Sequence, residues 1–278
     1  MKARNRPPKL QSQPGPQRPA PPPTLEERLE SARVAGPAST PGRTELRHLV
    51  ERLGADADGC WAALERATGT TRHSPRIDPA CTMRAVDDAA ARIDAVARAG
   101  GRVAFATAHP AAMLGLHAGL ARAARERGAQ VVEEDDAGPF RIDGRMPRWL
   151  RWIDGVACVT DGDSLLAAQR PDAGTEWCFV VGRPALVVAD GPFAECALEQ
   201  GIETVAFGGL DRPALLVAAT QERNACGVPV HPGRPARAYA LVAEAFAAAF
   251  RARSVRAVAV AGDGERPAVS GDGERPAV

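Results

Sequence analysis

The spacing of apolar residues changes part-way along this chain, and the change divides it. From residue 24 to residue 98 the pattern is helical. "TLEERLESARVAG" opens this stretch, with Thr24 as N-cap and Glu27 three residues later, the spacing of a capping box. Further helices are expected over 44–67 and 80–98, the second ended by Gly100 and Gly101. From 102 onward short apolar runs take over, at 102–107, 130–132, 155–160, 178–181, 185–189, 203–207 and 228–230. Helix-like segments at 111–127, 191–200 and 211–220 separate several of them, and an alanine-rich helix over about 236–252 follows. Strands alternating with helices predict an α/β fold, a mostly parallel doubly wound sheet behind an α-helical N-terminal segment.

The flanks have no such periodicity. Residues 1–23 hold eight prolines and the basic residues Lys2, Arg4, Arg6, Lys9 and Arg18 without an acid, which reads as a disordered proline-rich arm. "GDGERPAV" occurs at 262–269 and again at 271–278, too short and too polar to build a repeat fold. The expected organisation is a disordered arm at 1–23, a helical segment at 24–100, an α/β domain at 101–252 and a low-complexity tail at 253–278.

Composition narrows the chemistry. The only lysines are Lys2 and Lys9, so a P-loop lysine and a lysine Schiff base in the folded region are both excluded. Beyond the basic arm the charges nearly balance, and no basic face points to nucleic acid. There is no signal-like apolar segment and no run of about 18 apolar residues to span a bilayer, so a cytoplasmic protein without membrane contact is expected. The six cysteines lie far apart with no CxxC pair, which argues against zinc and for small buried hydrophobes.

Candidate chemistry sits where strands end. In parallel sheets ligands bind beyond the carboxyl ends of strands, beside helix N-termini whose free N–H groups favour anions. "VAFATAHP" ends such a run: Thr107 is placed to cap the next helix, His109 to enter the crevice, and Pro110 to take the first helical position. The competing reading makes His109 a loop residue bonded to backbone. Asp190 and Asp211 end two later strands, in "VVADGP" and "FGGLDRP". Two carboxylates at adjacent strand ends suit a divalent cation such as Mg or Mn, acid and base work, or plain N-capping.

Two other acidic stretches attract attention and lose it. "VVEEDD" at 131–136 stands where a Rossmann acid would, but the first turn lacks the GxGxxG that a pyrophosphate needs. "CVTDGD", with Asp161 and Asp163, resembles the nucleophile motif of haloacid-dehalogenase-type phosphatases. That chemistry needs a later basic residue and an acidic pair, and its motif belongs near the start of a domain.

A broader resemblance runs from about Arg33 to Phe246. "RVAGPASTP" with His48 shortly after, "RVAFATAHPAAMLGLH", "PALVVADGPFA", "GIETVAFGGLDRPAL" and "VPVHPGRPARAY" stand in an order and spacing similar to an actinobacterial family named simply "phosphatase". The resemblance implies a phosphatase acting on a small phosphorylated substrate. It carries over Arg33, Thr40, His48, His109, His117, Asp190 and Arg237 as site residues, with His109 and Asp190 catalytic. Thr107 and the arginines would hold phosphate, and Asp190 with Asp211 any metal. Gly191 departs from the family pattern, which often has histidine directly after the aspartate. The alternative is a non-catalytic α/β protein that binds a nucleotide or sugar phosphate in the same crevice.

Overall fold

The structure is a computed structural model and describes residues 22–38, 44, 57–71, 73–141, 146–221 and 224–263. Residues 1–21 of the expected arm and 264–278 of the expected tail therefore lie outside the described residues, as do Thr40 and His48. Helix α1 (Leu25–Ser31) begins with the expected capping box: Thr24 Oγ1 accepts from the Glu27 N–H, and the Thr24 N–H donates to Glu27 Oε2. Strand β1 (Gly36–Pro37) pairs antiparallel with β2 (Arg76–Ile77). Between them lies α2 (Ala57–Thr68), and the expected residues 45–56 of that helix lie outside the described set. Asp78 caps α3 (Pro79–Arg98), whose buried Val86, Ala89, Ala90, Ile93 and Ala97 keep the helical period.

The main sheet starts at β3 (Arg102–Ala106), which feeds α4 (Pro110–Glu126) and then β4 (Gln130–Val131). A meander follows: β5 (Ala137–Arg141), β6 (Pro147–Ile153) and β7 (Val156–Thr160), with β8 (Leu165–Leu166) pairing back on β7. The chain then runs through α5 (Pro171–Val181), β9 (Leu186–Asp190), α6 (Gly191–Glu199), β10 (Thr204–Gly208), α7 (Pro213–Gln221), β11 (Ala225–Pro229) and α8 (Ala236–Asp263). The strand order is β11-β10-β9-β3-β7-β6-β5, with β4 beside β3. Strands β11 to β7 are parallel, and β5, β6 and β8 are antiparallel. A mostly parallel α/β sheet is thus correct, with an antiparallel extension that the pattern reading lacked.

Two expectations change. The run at 178–181 is the end of α5 and not a strand: Trp177, Cys178 and Val181 are buried while Phe179 is 84% exposed, a helical alternation rather than a period of two. "PRWLRWI", by contrast, is strand β6, its tryptophans and arginines half-buried on an antiparallel ribbon. The last helix also continues past 252 to Asp263.

Successive strand residues point to opposite faces, and both faces are covered. On one, Val103, Phe105, Val188, Val205 and Phe207 pack with apolar side chains of α3, α4 and α8. On the other, Ala104, Ala106, Val187 and Ala189 pack with Trp177 of α5 and Phe193 of α6. The chain leaves β3 toward β4 and β7 on one side and later returns to β9 on the other, so the strand order reverses between β3 and β9. A crevice opens at the carboxyl ends of strands where such a reversal occurs.

Candidate functional site at the strand reversal

Three strand ends supply the crevice: β3 brings Thr107 to His109, β9 brings Asp190, and β10 brings Gly209 to Asp211. Asp190 is 2% exposed, and a carboxylate so placed is tolerated only when donors surround it. The Thr107 hydroxyl donates to Asp190 Oδ2 at 2.7 Å, and the Ala108 N–H donates to Oδ1. His109 Nδ1 lies 3.4 Å from Oδ1, and His117 Nε2 approaches Oδ2 at 3.5 Å, longer than a formed hydrogen bond. Burial by itself would raise the Asp190 carboxyl, but the His109 contact and the closeness of the His117 and His109 rings outweigh it and hold it well below the usual carboxylate range.

His109 is the N-cap residue of α4 and makes no side-chain cap bond. Its side chain is 16% exposed, partway between core and crevice. Burial opposes its charged form, yet the Asp190 hydrogen bond and charge prevail and raise its proton affinity. Its other ring nitrogen, Nε2, stands 3.1 Å from Gln169 Nε2. Gln169 arrives on the loop after β8, which is fastened to the β3 end by an Ala168 N–H to Ala108 O bond of 2.9 Å. Arg212 holds Gln169 in turn: one guanidinium nitrogen donates to Gln169 Oε1 at 2.9 Å and to its backbone oxygen at 3.1 Å, while the other meets Glu195 at 2.7 Å.

Asp211 Oδ1 is buried without a hydrogen-bond partner, and burial pushes its carboxyl up. Gly209 makes room for it, since a Cβ there would lie 2.6 Å from that oxygen. Gln169, Glu195, Asp211 and Arg212 line a cleft of about 410 Å³. On the far side His231 Nε2 is 3.1 Å from the Gly36 carbonyl oxygen, and the Tyr239 hydroxyl donates to the His231 carbonyl at 2.7 Å.

Hydrogen-bond donors already surround Asp190. A hydroxyl hydrogen and an N–H point at its two carboxylate oxygens, one to each. Among the described residues no three His, Cys, Asp or Glu side chains are gathered to hold a metal ion. Asp190 and Asp211, expected to share Mg or Mn, end adjacent strands, and both Asp190 oxygens already accept hydrogen bonds from the β3 end.

A family model described as "Phosphatase" matches residues 55–247, more than half of the chain. The chain belongs to this family. Among curated proteins it is similar to "Phosphatase SCO2771" of Streptomyces coelicolor, 27% identical over 233 residues, covering 74% of this chain and 87% of that protein. No solved structure matches it significantly. The phosphatase resemblance seen in the sequence, from an actinobacterial family, is thus borne out. No helix among the described residues is long and apolar enough to cross a membrane.

Within this phosphatase-family chain the structure brings His109, His117, Thr107 and Asp190 together, with Asp211 one strand away. Two capping readings change. Thr107 is not the N-cap of α4; its hydroxyl accepts from the His109 N–H at 3.1 Å and gives its hydrogen to Asp190. Asp190 occupies the N-cap position of α6 but makes no side-chain cap bond there, because its oxygens are committed to the β3 end. Arg33, at φ 57 after α1, and Arg237, in the first turn of α8, are both exposed, and no described hydrogen bond ties either to the Asp190 cluster. Asp161 and Asp163 sit in an exposed turn, where Asp161 Oδ1 accepts from the Asp163 and Ser164 N–H groups. The acidic run is a solvated loop, with Glu133 paired to Arg125 and Asp136 to Arg151.

Sequence reasoning missed Gln169, Arg212 and His231. A signal for His231 was present: His231-Pro232 follows β11 as His109-Pro110 follows β3, a strand ending in His-Pro twice. Gln169 carried none, since its place depends on a loop pinned across the sheet.

Proposed function

We propose that this protein hydrolyses a small phosphomonoester at the crevice between the β3, β9 and β10 ends. The observation that carries the reading is the His109–Asp190 pair: a largely buried imidazole at the crevice whose inner nitrogen is backed by a buried carboxylate. A histidine so oriented keeps its outer nitrogen for proton transfer to or from a reacting group. We also read the sheet as doubly wound, which sets the ligand at the reversal of strand order. The N-termini of α4, α6 and α7 begin at this edge, and their free N–H groups favour a phosphate dianion.

Hydrolysis needs two proton movements. Water adds to phosphorus and loses a proton, and the ester P–O bond breaks as its oxygen gains one. His109 and Asp211 are the titratable groups offered to the crevice for these steps. Asp190 is a positioning residue, since each of its oxygens accepts a hydrogen bond from the β3 end and one backs His109. No step depends on a metal held by Asp190.

The test is a panel of aryl and alkyl phosphomonoesters assayed with the purified chain, in chelator and with added Mg or Mn. Turnover that falls about a hundredfold or more in His109→Ala supports the reading, that being a usual loss for a proton-transfer group. Tight phosphate-ester binding without turnover would favour a binding protein instead.

A further inference from the structure

Arg212 decides which hydrogen-bonding end of Gln169 meets His109. A guanidinium has only donors, so the oxygen of the Gln169 amide must face it, as the 2.9 Å contact with Oε1 shows. The amide NH2 is then left for His109, 3.1 Å from Nε2, and an NH2 can only donate. A ring nitrogen that receives a hydrogen bond carries no hydrogen of its own. At the inner nitrogen the polarity is opposite: Asp190 can only accept, so Nδ1 bears the hydrogen. Glu195 completes the chain by fixing the other guanidinium nitrogen at 2.7 Å. Donation thus runs in one direction from Arg212 through Gln169 and His109 to Asp190, while Glu195 accepts from the other side of the guanidinium.

We infer that Gln169, oriented by Arg212, is a positioning residue that holds His109 as the neutral tautomer with its hydrogen on Nδ1, making Nε2 the proton acceptor of the reaction. This rests on the hydrolase reading and divides its two proton steps. As the attacking water displaces the Gln169 amide, His109 Nε2 takes the proton that water loses, and Asp211, when in its acid form, gives one to the leaving oxygen. Afterwards His109 returns its proton to solvent and Asp211 regains one, so both groups end as they began.

The charges facing His109 act in opposite senses. Asp190 and Asp211 favour the imidazolium, while Arg212 and the Gln169 amide hydrogen oppose it. His117 faces the same Asp190 carboxylate from inside α4 and shares its charge. The Gln169 amide hydrogen is what opposes a hydrogen on Nε2 itself, and without it only burial and Arg212 counter the two carboxylates.

The experiment is nitrogen NMR of the full chain labelled with 15N at histidine, at pH 8 and without substrate. The expected wild-type spectrum shows a protonated Nδ1 and an unprotonated Nε2 for His109. Gln169→Glu replaces the donor by an acceptor and should protonate Nε2 at the same pH. Arg212→Met frees the amide to turn and should move the ring the same way by a smaller amount. In a rate profile, the limb on which free base is required should move upward by about one pH unit or more in Gln169→Glu, with kcat reduced and KM little changed. A hydrogen on Nε2 in the wild type, or ring signals unchanged in both variants, would overturn the inference. Because the NMR needs no turnover, a chain that hydrolyses nothing would sink the hydrolase reading and the proton-acceptor role, while the Nδ1–H tautomer set by Gln169 would still stand or fall on the spectra.

Discussion

Asp190 stands at the N-cap of one helix and serves the start of another. Its backbone ends β9 and precedes α6, yet its carboxylate turns across to β3 and accepts the Thr107 hydroxyl at 2.7 Å. The side chain thus joins two strand ends that are 83 residues apart in sequence. Removing its charge disturbs the β3 turn before it disturbs α6.

Asp190→Asn should therefore lower stability as well as activity. An amide offers one acceptor and one donor group where the site supplies donors on both sides, so an N–H is forced against the Ala108 N–H or the Thr107 hydroxyl. Leaving such buried groups unpaired costs about 1–3 kcal/mol. Urea unfolding measures that loss. A variant as stable as the wild type would mean that the Thr107 and Ala108 bonds contribute nothing.

The same network sets a pH dependence. The Asp190 carboxyl is held below its unfolded-state value, so its contribution to stability is present above about pH 4 and is lost as pH falls through the folded-state value. His109 and His117 are what depress it after burial is counted. His109→Gln should accordingly begin acid unfolding at a higher pH than the wild type, as followed by circular dichroism.

Asp211 should behave in the opposite sense. Burial raises its carboxyl, so the folded state prefers the acid form and its ionisation costs stability as pH rises beyond the unfolded value of about 4. Asp211→Asn should raise the thermal midpoint at neutral pH while slowing turnover, most for substrates with poor leaving groups. A lowered midpoint with unchanged rates would remove Asp211 from the reaction.

Gly191 is required by its backbone and its neighbour. Its φ is +55°, and a Cβ there would lie 2.7 Å from the Ala108 Cβ. Gly191→Ala should cost about 1–3 kcal/mol in strain and push Ala108, which carries a bond to Asp190, out of place. Both a lower urea midpoint and a weaker activity are expected, and a neutral substitution would show that the β3 turn yields easily.

Chelation should leave both the fold and the rate in place. The donors around Asp190 face inward with hydrogens, and the described residues gather no metal-binding trio. Far-ultraviolet circular dichroism and aryl phosphate turnover in chelator check this together. Turnover abolished by chelation and restored by Mn would contradict it.

Local pattern determined a good part of this protein. The capping box at Thr24 and Glu27, the strands ending near Ala106, Asp190 and Gly208, and the proline-started helices after them follow from neighbours within a few residues. His109 and Asp190 were legible as candidates because strand ends before helix N-termini are where polar residues gain a ligand. What tertiary structure decided was who faces whom. The WCFVV run became helix because Trp177, Cys178 and Val181 had a sheet face to bury against, while "PRWLRWI" found β7 to pair with. Whether Asp190 caps α6 or serves Thr107 depends on β9 lying beside β3, and whether Gln169 meets His109 depends on a loop fastened at Ala108. Hydrogen-bond partners separated by 60 or more residues leave no spacing in the sequence, since their distance is set by strand order and not by the chain between them.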